Sequence, residues 1–278
     1  MKKIRIISLL LVFTCAFLLA ACGTSKTSGS GEKTGEKSPE KKTLRVVTDA
    51  AYAPFEYQDK GEVVGFDVDF IKAVAKEAGY NVKVEHVGWD PVFVEIKGKT
   101  ADIGISSITI TDERKQTYDF SIPYFLSKNE ILVPQNSTIS SAQDLKGKKI
   151  AVQNGTTGQE VVETLFGKNN KNLKKFENNN LAILELKGGG VDAVVADNSV
   201  VETYVKNNSK DNFKFIKDDS TFTNEFYGLM LPKGSPLKSE LDAAIKKVVE
   251  NGTYEKIYEK WFQVKPADLE VLKAEQQK

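Results

Sequence analysis

The stretch Phe66-Asp67-Val68-Asp69-Phe70-Ile71-Lys72-Ala73-Val74-Ala75-Lys76-Glu77-Ala78-Gly79-Tyr80 carries apolar residues at 66, 70, 71, 74, 75 and 78. That spacing is the one-sided stripe of an α-helix over Phe66–Ala78. Asp67 suits an N-cap and Gly79 a C-terminal stop. Before it, Leu44–Thr48 is a short β-rich run ending at Asp49; after it, Tyr80–Val87 reads as a strand. The same alternation continues outward. Pro91–Ile96 reads as a short helix, and Ala101–Ile105 as a buried strand with a polar end at Ser106-Ser107-Ile108-Thr109. Further on, strands are expected at Lys149–Val152, Val191–Ala196 and Tyr227–Pro232. Helices are expected at 159–166, 181–186, 237–250 and 254–262, with a charged, frayed tail beyond Val264. Strand and helix in turn predict an α/β fold with largely parallel sheets.

Composition removes several classes of function. With 39 Lys+Arg against 38 Asp+Glu in 278 residues, the formal charge of +1 offers no basic surface for nucleic acid. Two Cys exclude a disulfide framework and the Cys-rich zinc sites. His86 is the single imidazole, so no histidine metal site or triad can be built without it, and a structural role suits it best. No metal and no cofactor is expected. Lys97-Gly98-Lys99-Thr100 lacks the earlier Gly of a phosphate loop, and Gly188-Gly189-Gly190 precedes a strand instead of linking strand to helix.

Lys2-Lys3-Ile4-Arg5 and the apolar run 6–21 form a basic start and a core too short to span a bilayer, as in a secretory signal. The run ends in Leu19-Ala20-Ala21-Cys22-Gly23, which resembles a bacterial lipobox. That resemblance implies a lipoprotein signal peptide at 1–21 and a lipidated, palmitate-bearing Cys22. An ordinary secretory cleavage site is the alternative. Residues 23–42 contain only Gly, Thr, Ser, Lys, Glu and Pro, nothing that a core could bury. With Cys22 they would be a tether at 22–42, about 25 Å in mean span. Acyl chains would anchor the chain to the extracytoplasmic face of the cell membrane without a spanning helix.

A series of motifs marks the remainder. It includes Thr48-Asp49-Ala50-Ala51-Tyr52-Ala53-Pro54-Phe55-Glu56, Val64-Gly65-Phe66-Asp67-Val68-Asp69 and Ser107-Ile108-Thr109-Ile110-Thr111-Asp112-Glu113-Arg114. Asp119-Phe120-Ser121-Ile122-Pro123-Tyr124, Asp144-Leu145-Lys146-Gly147, Gly155-Thr156-Thr157-Gly158 and Gly252-Thr253-Tyr254-Glu255 follow. In this order they resemble the extracytoplasmic solute-binding proteins of polar amino-acid ATP-binding-cassette (ABC) importers, across residues 43–263. The resemblance implies a two-lobed type II periplasmic-binding-protein fold with two hinge crossover strands, near Ile131–Pro134 and Phe226–Leu231. Lobe one would comprise 43–131 and 227–278, and lobe two 132–226, with the ligand between them.

A free amino acid brings a carboxylate and an ammonium into the cleft, and each needs a partner once water is removed. Arg114 offers a planar fork to a carboxylate. By the resemblance, Arg114 and the Thr109 amide hold the carboxylate. The Ser107 carbonyl, the Thr109 hydroxyl and Asp197 receive the ammonium, and Ser106 adds a hydroxyl. Thr156 and Thr157 stand between a strand and a helix, where free amides favour an anion. Tyr52 and Trp89 match positions that sandwich the ligand side chain, a suitable setting for a guanidinium. Asp49 matches an acid at the side-chain end, Glu56 is a second acid, and Gln153 leaves the opposite wall uncharged. Each also has a plainer reading: Arg114 as a surface charge, Ser107 and Thr109 as turn caps, Asp197 as a helix N-cap, Trp89 as core.

The function implied is binding of an amino acid, basic (arginine, lysine or histidine) before glutamine. The chain would act as a monomer without enzymatic activity, delivering its ligand to an ABC permease whose ATPase is another subunit. An enzyme on the same scaffold, for which Glu56 is the unassigned acid, and a sensor or adhesin lipoprotein are the other classes.

Overall fold

The computed structural model of the chain describes residues 41–278. The signal peptide, Cys22 and nearly all of the tether expected above lie outside the described residues. In chain order the elements begin with β1 (Thr43–Thr48), then a small antiparallel meander of β2 (Ala51–Tyr52), β3 (Glu56–Asp59) and β4 (Glu62–Val64). Next are α1 (Phe66–Glu77), β5 (Asn81–His86), α2 (Trp89–Lys97), β6 (Ile103–Gly104), α3 (Asp112–Thr117), β7 (Tyr118–Phe120) and β8 (Phe125–Ser127). The middle of the chain holds β9 (Asn129–Pro134), β10 (Ile150–Gln153), α4 (Thr157–Phe166), β11 (Leu173–Phe176), α5 (Asn179–Lys187), β12 (Ala193–Asp197), α6 (Asn198–Asn207) and β13 (Phe213–Ile216). It closes with β14 (Glu225–Tyr227), β15 (Met230–Pro232), α7 (Leu237–Glu250), α8 (Thr253–Phe262) and α9 (Leu269–Glu275).

Two five-stranded sheets result, ordered β5-β1-β6-β15-β7 and β11-β10-β12-β9-β13. In each, three strands run parallel, because helices connect them as parallel neighbours require. In each, the strand that enters from the other sheet, β15 or β9, runs antiparallel to its neighbours. The chain passes between the sheets at β8 and β14, which pair with each other. Ile131–Pro134 therefore belongs to the second sheet, and the outward crossing comes earlier than its sequence placement. The expected strand Tyr227–Pro232 is split between crossing strand and sheet. Gly228 stands at the changeover, where a Cβ would come within 2.8 Å of Ile110.

Successive residues of a strand face opposite sides, and the inner strands of each sheet are covered on both, so β9, β10 and β12 read as nearly unbroken apolar runs. Val46 joins the core under α1 and α7, whereas Val47 joins the one under α2. Likewise Ile131, Val152 and Val195 face one side of the second sheet, and Leu132, Ala151 and Val194 the other. Phe125 of β8 and Tyr227 of β14 stack at 5.5 Å, which fastens the crossing strands to the first core.

Two expectations are corrected. Asp67 is not the N-cap of α1: that position is Gly65, at φ 142°, where a Cβ would lie 1.9 Å from the Phe55 carbonyl oxygen. The tail is not frayed either. Leu272 of α9 is buried in the first core, and Gln276 Nε2 donates to the Pro123 carbonyl at 2.7 Å.

Candidate functional site

Four of the parallel strands end in polar residues, and those ends converge. Asp49 follows β1, Ser106 and Ser107 follow β6, Gln153 closes β10 and Asp197 closes β12. Carboxyl ends of parallel strands are where α/β sheets present binding groups. Here they face one another across a small cavity. Asp49, Tyr52, Trp89, Ser106, Ser107, Thr109, Arg114, Gln153, Thr156, Thr157 and Asp197 all line it. The sequence reading had named each of these; it missed Asn179 and Ala196, which line it too.

Arg114 is the buried cation of the site. The Thr111 hydroxyl caps α3 by accepting from the Arg114 backbone N–H, which fixes where the side chain leaves. Its guanidinium lies 5.8 Å from the Trp89 ring and 5.4 Å from the Phe93 ring. Nη1 donates to the Thr109 carbonyl at 2.7 Å and Nη2 to the Gly155 carbonyl, across the cleft, at 3.0 Å. Among the described residues it has two carbonyl acceptors and no salt-bridge partner. Burial consequently lowers the pKa of this cation.

Asp197 stands on the second wall. Its Oδ2 accepts from the Tyr52 hydroxyl at 2.7 Å and from the Tyr227 hydroxyl at 2.5 Å. It occupies the N-cap position of α6, but its side chain makes no capping hydrogen bond and is committed to the two tyrosines. Burial raises its pKa, against the pull of these donors and of Arg114.

Asp49 marks the other end. Its Oδ2 accepts from Gln153 Nε2 at 3.4 Å, and Gln153 Oε1 in turn accepts from Asn179 Nδ2 at 2.9 Å. His86 Nδ1 lies 3.8 Å from Asp49 Oδ1 while accepting from the Ala50 N–H at 2.9 Å. The lone histidine thus flanks the site, a placement its strand pattern did not reveal. Burial is the largest influence on Asp49 and pushes its carboxyl up.

Glu56 is placed differently from expectation. It does not reach the cavity. It is fully buried behind it, where Oε1 accepts from the Ser106 hydroxyl at 3.0 Å. That hydroxyl accepts from the Asp49 N–H at 3.1 Å, so Ser106 relays Glu56 to the backbone of Asp49. Asp67, equally buried, accepts from the Ser107 N–H and the Tyr124 hydroxyl, both at 2.9 Å. Burial raises both carboxyls, Asp67 to about 6, and the neighbouring charge of Asp67 raises Glu56 further. This pair clamps the Ser106-Ser107 strand end, where Ser107 adopts φ 49°. The Ser107 hydroxyl is buried without a partner among the described residues.

Thr156 and Thr157 open α4. The Thr156 hydroxyl caps the helix by accepting from the Gln159 N–H, and the Thr157 hydroxyl donates to Glu225 at 2.7 Å. The Thr109 hydroxyl donates to the same Glu225 oxygen at 3.0 Å. Glu225 was not read from the sequence as a site residue. The signal was the alternation Glu225-Phe226-Tyr227, which puts Glu225 and Tyr227 on one face of β14.

Two α/β bodies joined by paired crossing strands, with a polar cavity between them, define a hinged binding protein of the periplasmic kind. The chain belongs to the bacterial extracellular solute-binding proteins, family 3, which match residues 44–264. It is 41% identical over 251 residues to the "Probable histidine-binding protein" of Neisseria gonorrhoeae, covering 89% of this chain and 91% of that one. It is 35% identical over 257 residues to the arginine-binding extracellular protein ArtP of Bacillus subtilis (strain 168), covering 91% and 96%. Among solved structures it resembles the arginine-, lysine-, histidine-binding protein ArtJ of Geobacillus stearothermophilus. There the TM-score is 0.81 at 53% identity, over 84% of this chain and all of that one.

Proposed function

We propose that the chain captures a free amino acid with a basic side chain outside the cell and delivers it to an ABC permease. The observation that carries this reading is Arg114, a buried cation with no salt bridge among the described residues, in one cavity with two buried acids, Asp197 and Asp49. A buried unpaired charge is costly, so a site of this kind favours a ligand that completes the pairs. A basic amino acid does so three ways: carboxylate on Arg114, ammonium near Asp197, cationic side chain toward Asp49 between Tyr52 and Trp89. The names of ArtJ, ArtP and the Neisseria relative agree with a basic ligand. In this reading lobe one is 43–131 with 227–278, lobe two is 132–226, and they close on the ligand as a monomer.

A second reading, glutamine, is favoured by one contact: Asp49 already accepts from an amide, that of Gln153. Calorimetric titration of refolded protein with the twenty amino acids tests both. Arginine binding tightest is the expected result; glutamine tighter than arginine would promote the second reading, and no binding at all would overturn both. A binding role, not an enzymatic one, fits the placement of Glu56, the acid an enzyme reading would need, which is sealed behind Ser106.

Membrane attachment through lipid on Cys22, with residues 23–42 as tether, completes the proposal. Cys22→Ser is expected to release the protein into the medium. Wild-type protein partitioning into the aqueous phase of a detergent separation would contradict lipidation.

A further inference from the structure

Glu225 is the first residue of β14, the crossing strand by which the chain returns to the first sheet. Its Oε2 accepts from two hydroxyls at once, Thr109 at 3.0 Å and Thr157 at 2.7 Å. Its Oε1 accepts from Asn129 Nδ2 at 2.8 Å. Thr109 lies beyond the end of β6 and its backbone bridges to Tyr227, on the wall formed by the first body. Thr157 begins α4, and Asn129 begins β9, both in the second body. One carboxylate on a hinge strand is therefore bonded to both walls of the cavity, through two residues that line it. Asp197 and Arg114 are the charged neighbours that act on it.

We propose that Glu225 is a positioning residue of the site: by holding the Thr109 and Thr157 hydroxyls on one oxygen, it sets the spacing of the two walls and favours their approach. This rests on reading the cavity as an amino-acid site. The charged neighbours of Glu225 are Asp197 and Arg114, the groups read as holding the polar head common to every amino acid, so it governs affinity without governing choice. Glu225→Gln keeps the volume but removes the charge and replaces one acceptor oxygen with a donor, which weakens the charge-assisted hold on the two hydroxyls.

The test compares the full-length wild type with Glu225→Gln in two measurements. The first is the emission of Trp89 in ligand-free protein, which reports exposure of the cleft; Trp261 packs on Asp69 outside it and gives a constant background. The second is calorimetry with arginine and with glutamine. The expected result is a red-shifted emission at unchanged melting temperature, and a loss of affinity of about tenfold, equal for both ligands. Thr157→Val, which removes one of the two hydroxyls, is expected to shift emission and affinity the same way and to add little to Glu225→Gln. It also serves alone if Glu225→Gln does not fold. Unchanged emission in both variants, or a change in arginine-to-glutamine preference, overturns the proposal. Should the wild type bind no amino acid, the functional reading fails, and the ligand-free emission still decides the role of Glu225.

Discussion

The Tyr52 hydroxyl donates to Asp197 Oδ2 at 2.7 Å, although 145 positions separate the two residues in the chain. Tyr52 follows a strand of the first sheet and Asp197 ends one of the second, so this bond spans the cleft. Tyr52→Phe keeps the aromatic face and removes only this donor, leaving Asp197 with Tyr227. We expect a loss of about 1 to 2 kcal/mol in ligand affinity, tenfold or so, read by calorimetry. Unchanged affinity would mean that the bond contributes nothing to closure.

Arg114→Ala should weaken all amino-acid ligands alike, because the carboxylate is common to them. Loss of a buried charge-assisted contact costs on the order of 2–5 kcal/mol. Titration of arginine, lysine and glutamine against the variant gives the comparison. A change of preference at undiminished affinity would place Arg114 at the side-chain end instead.

Asp49→Asn should narrow the gap between arginine and glutamine while leaving the Arg114 contacts in place. On the proposed placement the carboxylate would meet a cationic side chain with a charge-assisted bond, and an amide with a neutral one; the difference is about 1–2 kcal/mol. The ratio of the two dissociation constants is the measurement, and an unaltered ratio argues against Asp49 as the selecting group.

Stability should depend on the proton held by Glu56 and Asp67. Glu56 Oε2 and Asp67 Oδ1 are buried with no hydrogen-bond partner among the described residues, so either can carry a proton without displacing a donor. Burial pushes Asp67 from 3.8 to about 6, so the folded chain holds this proton more tightly than the unfolded one. The stabilisation is complete below about pH 3.8 and is lost as pH rises through about 6. Asp67→Asn supplies a non-titrating hydrogen at the same place. Its melting temperature should fall less than that of the wild type between pH 4 and 7; parallel curves would exclude a role for this proton.

Local pattern was enough for the elements that bury one stripe or one run. The helix at Phe66 was legible because its apolar residues recur at helical spacing, and β10 and β12 because strands covered on both faces read as continuous apolar runs. Weakly patterned elements were not legible. Strand β11 has exposed lysines at its centre, and the meander β2–β4 carries mostly polar, partly exposed residues. In α9 a single buried residue, Leu272, anchors the helix, too little to form a stripe.

From the sequence alone came the α/β alternation, the family motifs and most of the polar residues that line the cavity, each standing at the end of a strand or the start of a helix. What those residues touch was decided only in three dimensions. Glu56 was read as facing a ligand and instead lies beside Asp67 behind Ser106, while Glu225 was unremarked and joins Thr109 to Thr157. The reason is physical. Burial periodicity is set by neighbours three or four positions away, whereas the hydrogen-bond partner of a buried carboxylate is whichever donor the packing of distant segments brings within about 3 Å.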